Sequence, residues 1–323
     1  MKKTKYLITT LLLLTSLSIG QELSGKAGSF VDIGFGPRAV GMGNAYVALA
    51  NDASSIFWNP SGLTSVENIG VEFSYANQLQ IIPYGTASAS IPLGGNNGVG
   101  VGVIYSGDDA LKELTFMAAY AHQFGNFSAG LTLKYRSVSF GNNGFNEEDY
   151  IIFDPAEIEE GRLNQVFGDG NGFGLDLGLQ YHLYDYLTLG IVVKDVFAPV
   201  NWSSDNNSTD NKPDGSYSES IPTELVFGIS LNPMNGLIIN SDYKPNVLRE
   251  TYQKFKFGVE YLLLDIIAFR AGTQQLLNSE PDEKYAVGLG IQYKITTVLT
   301  KVNFTYLIED LSNTYRFSVG IDF

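Results

Sequence analysis

From residue 69 to Phe323 the sequence alternates between apolar and polar side chains with a period of two, and this constrains the fold more than any other feature of the chain. Along 173–183 the odd positions are Phe173, Leu175, Leu177, Leu179, Tyr181 and Leu183, and the even ones are Gly174, Asp176, Gly178, Gln180 and His182. A strand turns successive side chains to opposite faces, so such a run is a strand with one apolar and one polar face. The division repeats at 315–323, where Tyr315, Phe317, Val319, Ile321 and Phe323 alternate with Arg316, Ser318, Gly320 and Asp322. Read throughout, the pattern predicts fourteen strands, at 69–76, 84–92, 98–105, 114–124, 127–140, 172–184, 187–198, 221–231, 237–244, 252–263, 266–273, 285–294, 297–308 and 314–323. After residue 20 no apolar run reaches 18 residues, and the nearest, at 261–269, is broken by Asp265, which excludes a helical membrane protein.

The connections alternate in kind. Every second one is a tight turn, such as Gly94-Gly95-Asn96-Asn97, Gly125-Asn126 or Asp185-Tyr186. The others are mostly longer, about thirty residues at 141–171 and about twenty at 199–220. Short turns on one rim and long loops on the other are the pattern of an outer-membrane barrel, with its turns in the periplasm and its loops outside the cell. A soluble β-sandwich would share the alternation, but its solvent face would be rich in Lys, Glu and Thr, whereas here the polar phase is rich in Gly and Ser. Aromatic residues also gather near strand ends, among them Tyr75, Tyr105, Phe124, Phe127, Tyr181, Tyr184 and Tyr293, where interface girdles lie. Phe323 ends the chain in phase with the apolar face, as a carboxy-terminal barrel signal does. The reading is an all-β, 14-stranded antiparallel transmembrane barrel in the outer membrane of a Gram-negative bacterium, with lipid and the barrel-assembly machinery as partners.

Residues 1–20 are read separately as a signal peptide, because Lys2, Lys3 and Lys5 precede an apolar stretch that ends at Ser18-Ile19-Gly20. Its loss takes the formal charge from −14 to −17, and −16 of that falls on the long-loop rim. An acidic chain of this kind repels polyphosphate, so nucleic acid is not an expected partner. The loop residues Glu147, Glu148, Asp149, Asp154, Glu157, Glu159 and Glu160 lack the spacing of a calcium loop and read as a solvated acidic surface able to dock a basic partner. Charges in the polar phase, including Lys134, Arg136, Asp176, Glu224, Asp242, Lys254, Lys256, Glu260, Arg270, Arg316 and Asp322, are of both signs and predict lumenal ion pairs between neighbouring strands. His122 and His182 are the only histidines and there is no Cys, so no metal set, cofactor site or nucleophile–base pair can be assembled and no enzyme is expected.

Residues 21–67 do not alternate, and their run at 38–50 is almost wholly apolar or small, which predicts a short helix buried on all sides and ending near Asn51-Asp52. A 14-stranded barrel has a lumen too wide for its own side chains to fill, so 21–67 is read as a helical, Gly-rich plug and 68–323 as the barrel. Asn59-Pro60-Ser61-Gly62 reads as a turn launching the first strand.

The plug carries a resemblance. Gly34-Phe35-Gly36-Pro37-Arg38-Ala39-Val40-Gly41-Met42-Gly43-Asn44-Ala45, then Asn51-Asp52-Ala53-Ser54 and Phe57-Trp58-Asn59-Pro60-Ser61-Gly62-Leu63, resembles the amino-terminal signature of the PorV/PorQ family, a branch of the FadL-like barrels. Weaker echoes follow at Leu189-Gly190, Gly258-Val259-Glu260-Tyr261 and Arg270-Ala271-Gly272. The resemblance implies a plugged 14-stranded barrel that works without catalysis in type IX secretion, receiving secreted cargo and passing it to the attachment machinery. It marks Gly34, Gly36, Arg38, Gly41, Gly43, Asn44, Asp52, Asn59, Pro60 and Gly62 as the plug motif. The alternatives are a FadL-like channel for hydrophobic small molecules and a purely structural surface protein.

Overall fold

The computed structural model describes residues 34–78, 80, 82–141, 166–206, 215–246, 252–277, 283–310 and 312–323. The described chain begins with three short helical elements, α1 (Pro37–Gly41), α2 (Ser55–Trp58) and the 3₁₀ helix η1 (Pro60–Ser65). Sixteen strands follow: β1 (Gly70–Gln78), β2 (Ile82–Gly94), β3 (Asn97–Gly107), β4 (Leu111–Phe124), β5 (Phe127–Phe140), β6 (Val166–Tyr184), β7 (Leu187–Phe197), β8 (Pro199–Asn206), β9 (Gly215–Ser220), β10 (Glu224–Met234), β11 (Leu237–Lys244), β12 (Lys254–Leu263), β13 (Ile267–Leu276), β14 (Lys284–Ile295), β15 (Val298–Ile308) and β16 (Thr314–Asp322).

All pairings are antiparallel. β1 pairs with both β2 and β16, β5 pairs with β6, and β7 pairs with β10, so β1 to β7 and β10 to β16 form a closed ring of fourteen strands. Closure leaves no unpaired backbone within the hydrocarbon, which is the condition for a sheet to cross a bilayer. The fourteen predicted strands are the fourteen of the ring. β8 and β9 lie in the predicted loop at 199–220, and they form a hairpin that continues the sheet upward along the first residues of β6. The sequence reading missed them because Val200 and Trp202 are the only large apolar residues of β8 and Tyr217 the only one of β9.

The barrel is inside out relative to a soluble protein. Phe73, Phe116, Leu133, Phe173, Phe197 and Phe317 stand exposed on the outer wall, whereas Thr132, Lys134, Asp176, Gln180, Asn240, Asp242 and Arg316 are buried within. The short turns and the chain end share one rim, where the Phe323 N–H donates to the Ile69 carbonyl at 2.9 Å. That rim is the periplasmic one.

Residues 34–65 lie in the lumen, and nearly every side chain from Ala39 to Ala50 is buried. The helix expected over 38–50 is much shorter: α1 stops at Gly41, and Gly43 and Asn44 both take φ of 62°. The cause is the wall. A Cβ on Gly43 would lie 2.4 Å from both the N and O of Thr273, so the chain presses against β13 at a glycine whose positive φ no helix can contain. The Asn59-Pro60-Ser61-Gly62 turn is likewise a correction, since these residues open η1, which is packed inside the barrel before β1 begins.

Candidate functional site

The lumenal segment sits on glycines of the wall. Three cross-strand pairs bring two lumen-facing glycines side by side: Gly258 with Gly272, Gly190 with Gly228, and Gly130 with Gly178. Each pair receives a different stretch of backbone. A Cβ on Gly258 would lie 2.2 Å from the Met42 carbonyl oxygen, and one on Gly272 would lie 2.0 Å from the Gly43 nitrogen. Gly190 and Gly228 stand under the Ala48 backbone, at 2.8 and 2.9 Å, Gly130 under the Pro60 carbonyl carbon at 2.5 Å, and Gly178 under the side-chain Oδ1 of Asn59 at 2.0 Å. Real Cβ atoms do not approach so closely, so no larger residue fits while the segment keeps its place.

Buried polar groups of the wall then satisfy the backbone of the segment. Asp242 accepts from the Tyr46 and Val47 N–H groups at 2.8 and 3.1 Å, and Asn240 donates to the Ala45 carbonyl at 3.0 Å. Gln180 donates to the Ala48 carbonyl at 3.0 Å, Lys194 to Phe57 at 3.1 Å, Thr305 to Pro37 at 2.6 Å and Arg316 to Gly34 at 3.0 Å. Asn59, fully buried, acts in both directions. Its Nδ2 donates to the carbonyls of Val47 and Leu179, and its Oδ1 accepts from the N–H and hydroxyl of Ser61, which caps η1.

Arg38 joins the two parts. Its Nε and Nη2 donate to the two oxygens of Glu260 on β12 at 3.0 and 2.8 Å, a bidentate pair, while Nη1 reaches Asp52, Tyr46 and Asn51 within the segment, each at 3.0 Å. Arg270 also donates to Glu260. Burial pushes the Asp52 carboxyl up, but the Arg38 charge with hydrogen bonds from Ser54 and Tyr46 outweighs it and holds Asp52 below the ordinary carboxylate range. An aromatic cluster completes the packing: Phe35 stacks on Phe57 at 5.1 Å and meets Trp58 edge-on at 5.7 Å, and Lys194 lies 5.2 Å from the Trp58 ring centre.

The structure thus brings Gly34, Gly36, Arg38, Gly41, Gly43, Asn44, Asp52, Asn59, Pro60 and Gly62 into one lumenal unit. The acidic cluster from Glu147 to Glu160 lies outside the described residues. Lumenal ion pairs between strands are present, as Lys134 with Asp176 at 2.6 Å, Arg136 with Asp195 at 2.7 Å and Lys301 with Asp322 at 2.6 Å. Glu260 makes such a pair with Arg270 on β13 and, like Asp242 and Arg316, also binds the lumenal segment. His122 contacts Asn97 at 2.7 Å, and His182 contacts Thr188 at 3.1 Å. Among the described residues no three His, Asp or Glu side chains are grouped to hold a metal. The seats made by Gly–Gly pairs, Gln180, Asn240 and Lys194 were missed; the available signal was the recurrence of glycine in the lumenal phase of strand after strand.

A closed barrel, apolar outside and filled by its own amino-terminal segment, is an outer-membrane protein of the plugged 14-stranded class. The chain belongs to the family of type IX secretion system membrane proteins PorP/SprF, which matches residues 52–321. This is a family of secretion-system membrane components without a catalytic role. The match takes in Asp52, the Asn59-to-Gly62 element and the whole ring, and it names PorP/SprF where the amino-terminal signature resembled PorV/PorQ. No curated protein matches the chain. Among solved structures the fold is similar to the CymD monoaromatic hydrocarbon channel, with 20% identity, 90% of this chain and 97% of that one covered, and a TM-score of 0.60. It is also similar to the Pseudomonas putida toluene transporter TodX (12% identity, the same coverage, TM-score 0.60) and the Ralstonia pickettii toluene transporter TbuX (14%, the same coverage, 0.57). At these identities the likeness is one of fold.

Proposed function

We propose that the protein is a non-catalytic partner in type IX export that holds exported proteins at the outer surface through its acidic long-loop rim, while residues 21–67 keep the lumen shut. On this reading 1–20 is the removed signal, 68–323 the barrel, and Phe323 the end by which the assembly machinery handles the last strand. Delivery of cargo to the attachment machinery, as the PorV/PorQ resemblance implies, is the finer form of the same role.

The observation that carries the reading is the seating of the lumenal segment. Backbone lies against Gly–Gly pairs at three places around the wall, and the intervening carbonyls and N–H groups are bonded to buried side chains. A small-molecule channel needs a path past that segment, and sliding it would strip these bonds at a cost of about 1 kcal/mol each, more where a charged group is left alone. A partner acting from the rim needs no such path. Affinity capture from intact envelopes tests the proposal: recovery of secreted proteins sharing a carboxy-terminal domain is expected, and their absence from cells that possess the system would overturn it.

A further inference from the structure

A closed barrel has no free strand edge, yet among the described residues one edge is free, beyond the ring. β9 pairs with β8 and with no other strand. Its height follows from the outward face of β6 and its neighbours, where Phe173, Leu175 and Phe197 give way to Asp169, Asn171, Asn201 and Ser203. The hydrocarbon ends near Phe173, and the hairpin stands in water on the long-loop rim.

Exposed edges are templates for another strand, and proteins usually blunt them with lysine, proline or a bulge. β9 reads Gly215-Ser216-Tyr217-Ser218-Glu219-Ser220 and has none of these, its one charge, Glu219, being held by Trp202 of β8, and its register with β8 is unbroken from Ser204 opposite Gly215 to Pro199 opposite Ser220. Its two faces differ. Tyr217 and Glu219 lie on the face of Trp202 and Val200, which the register sets above Gly170 and Gly172 on the side of the barrel mouth. There Trp202 packs on Phe140 with ring centres 6.0 Å apart and donates to Glu219 at 3.0 Å, leaving Tyr217 50% exposed. Ser216, Ser218 and Ser220 form the other face, toward open solvent, on a rim whose sequence carries a charge of −16.

We propose that the free edge of β9 receives an extended strand of an exported protein by backbone pairing, with apolar side chains against the Tyr217 face and basic ones along the serine face. The inference rests on the export reading above and adds the recognition chemistry. Main-chain hydrogen bonds supply affinity that tolerates varied sequences, and alternate side chains supply the preference. The apolar phase follows from the aromatic surface of Trp202, Tyr217 and Phe140, and the basic phase from the acid of the rim.

The test uses the purified full-length protein in detergent and, as probe, a synthetic strand of about six residues alternating valine and lysine. At saturating probe, amide hydrogen exchange at alternate residues of β9 should slow by about tenfold or more. The same peptide N-methylated throughout keeps its charge and side chains but cannot pair, and should give no protection. Unchanged exchange with the unmodified probe overturns the proposal, and so does equal protection by the methylated peptide. The two readings fail separately. If envelope capture succeeds while the captured protein leaves β9 exchange unchanged, the edge is wrong and the export role stands; if capture fails, the export role itself falls.

Discussion

Arg38 holds its charge where little water reaches it, with its side chain 20% exposed and its partners Glu260 and Asp52 at 6% and 12%. Glu260 keeps Arg270, but removing Arg38 leaves the Asp52 carboxylate without its cation, so Arg38→Met should destabilise the folded barrel by about 3 kcal/mol, read as a lower urea midpoint. The Asp52 carboxyl is depressed in the folded protein, so its contribution is fully present above its unfolded value near pH 4 and is lost as pH falls through the lower folded one. Thermal stability should therefore fall more steeply below about pH 4 in the wild type than in Asp52→Asn. Equal slopes would remove Asp52 from the acid response. The glycines give a sharper contrast. At Gly272 a Cβ would lie 2.0 Å from backbone, whereas at Gly320 the nearest atom is 3.6 Å away. Gly272→Val should cost about 3 kcal/mol or more, and Gly320→Ala should change stability by less than about 0.5 kcal/mol. Similar costs at both positions would show that the wall glycines are not seats.

Among the elements, the ring strands were legible because each is amphipathic by itself, with its apolar residues set by lipid and its polar ones by the lumen. β6 illustrates the limit. The alternation of Phe173 to Leu183 predicts a strand from 172, but the strand begins at Val166, because Gly168, Gly170 and Gly172 carry no side chains to signal a face and the pairing is supplied by β5 on one side and β8 on the other. α1 fails in the opposite sense. The run at 38–50 has the composition of a buried helix, and it is buried, yet the wall at Thr273 forces the turn at Gly43. Gly43→Ala should therefore disrupt the seat, not lengthen α1. Amide exchange at Asn44 and Ala45 should quicken in this variant, and unchanged protection there would argue against the wall as the cause.

For the whole molecule, a filled lumen and a closed ring make two predictions. Unheated protein should migrate anomalously on detergent gels and shift on boiling, as the hydrogen-bonded ring requires complete unfolding to open. In planar bilayers the wild type should be electrically silent and a variant lacking residues 34–65 should conduct, because the segment occupies the space that 14 strands enclose. A conducting wild type would favour a channel.

The sequence by itself determined the number of strands in the ring, the face on which their side chains lie, which rim carries the short turns and which the long loops, and the presence of a buried amino-terminal segment. These are all consequences of one-dimensional pattern, since period, turn chemistry and loop length are local properties. Only the tertiary structure decided where that segment rests. Gly258 meets Gly272, and Asp242 meets the Tyr46 and Val47 N–H groups, only once the sheet has closed and set their register, across 14 to 196 residues of chain. The edge of β9, free among the described residues, has the same origin: a strand is an edge by virtue of what fails to lie beside it, and no local pattern records an absent neighbour.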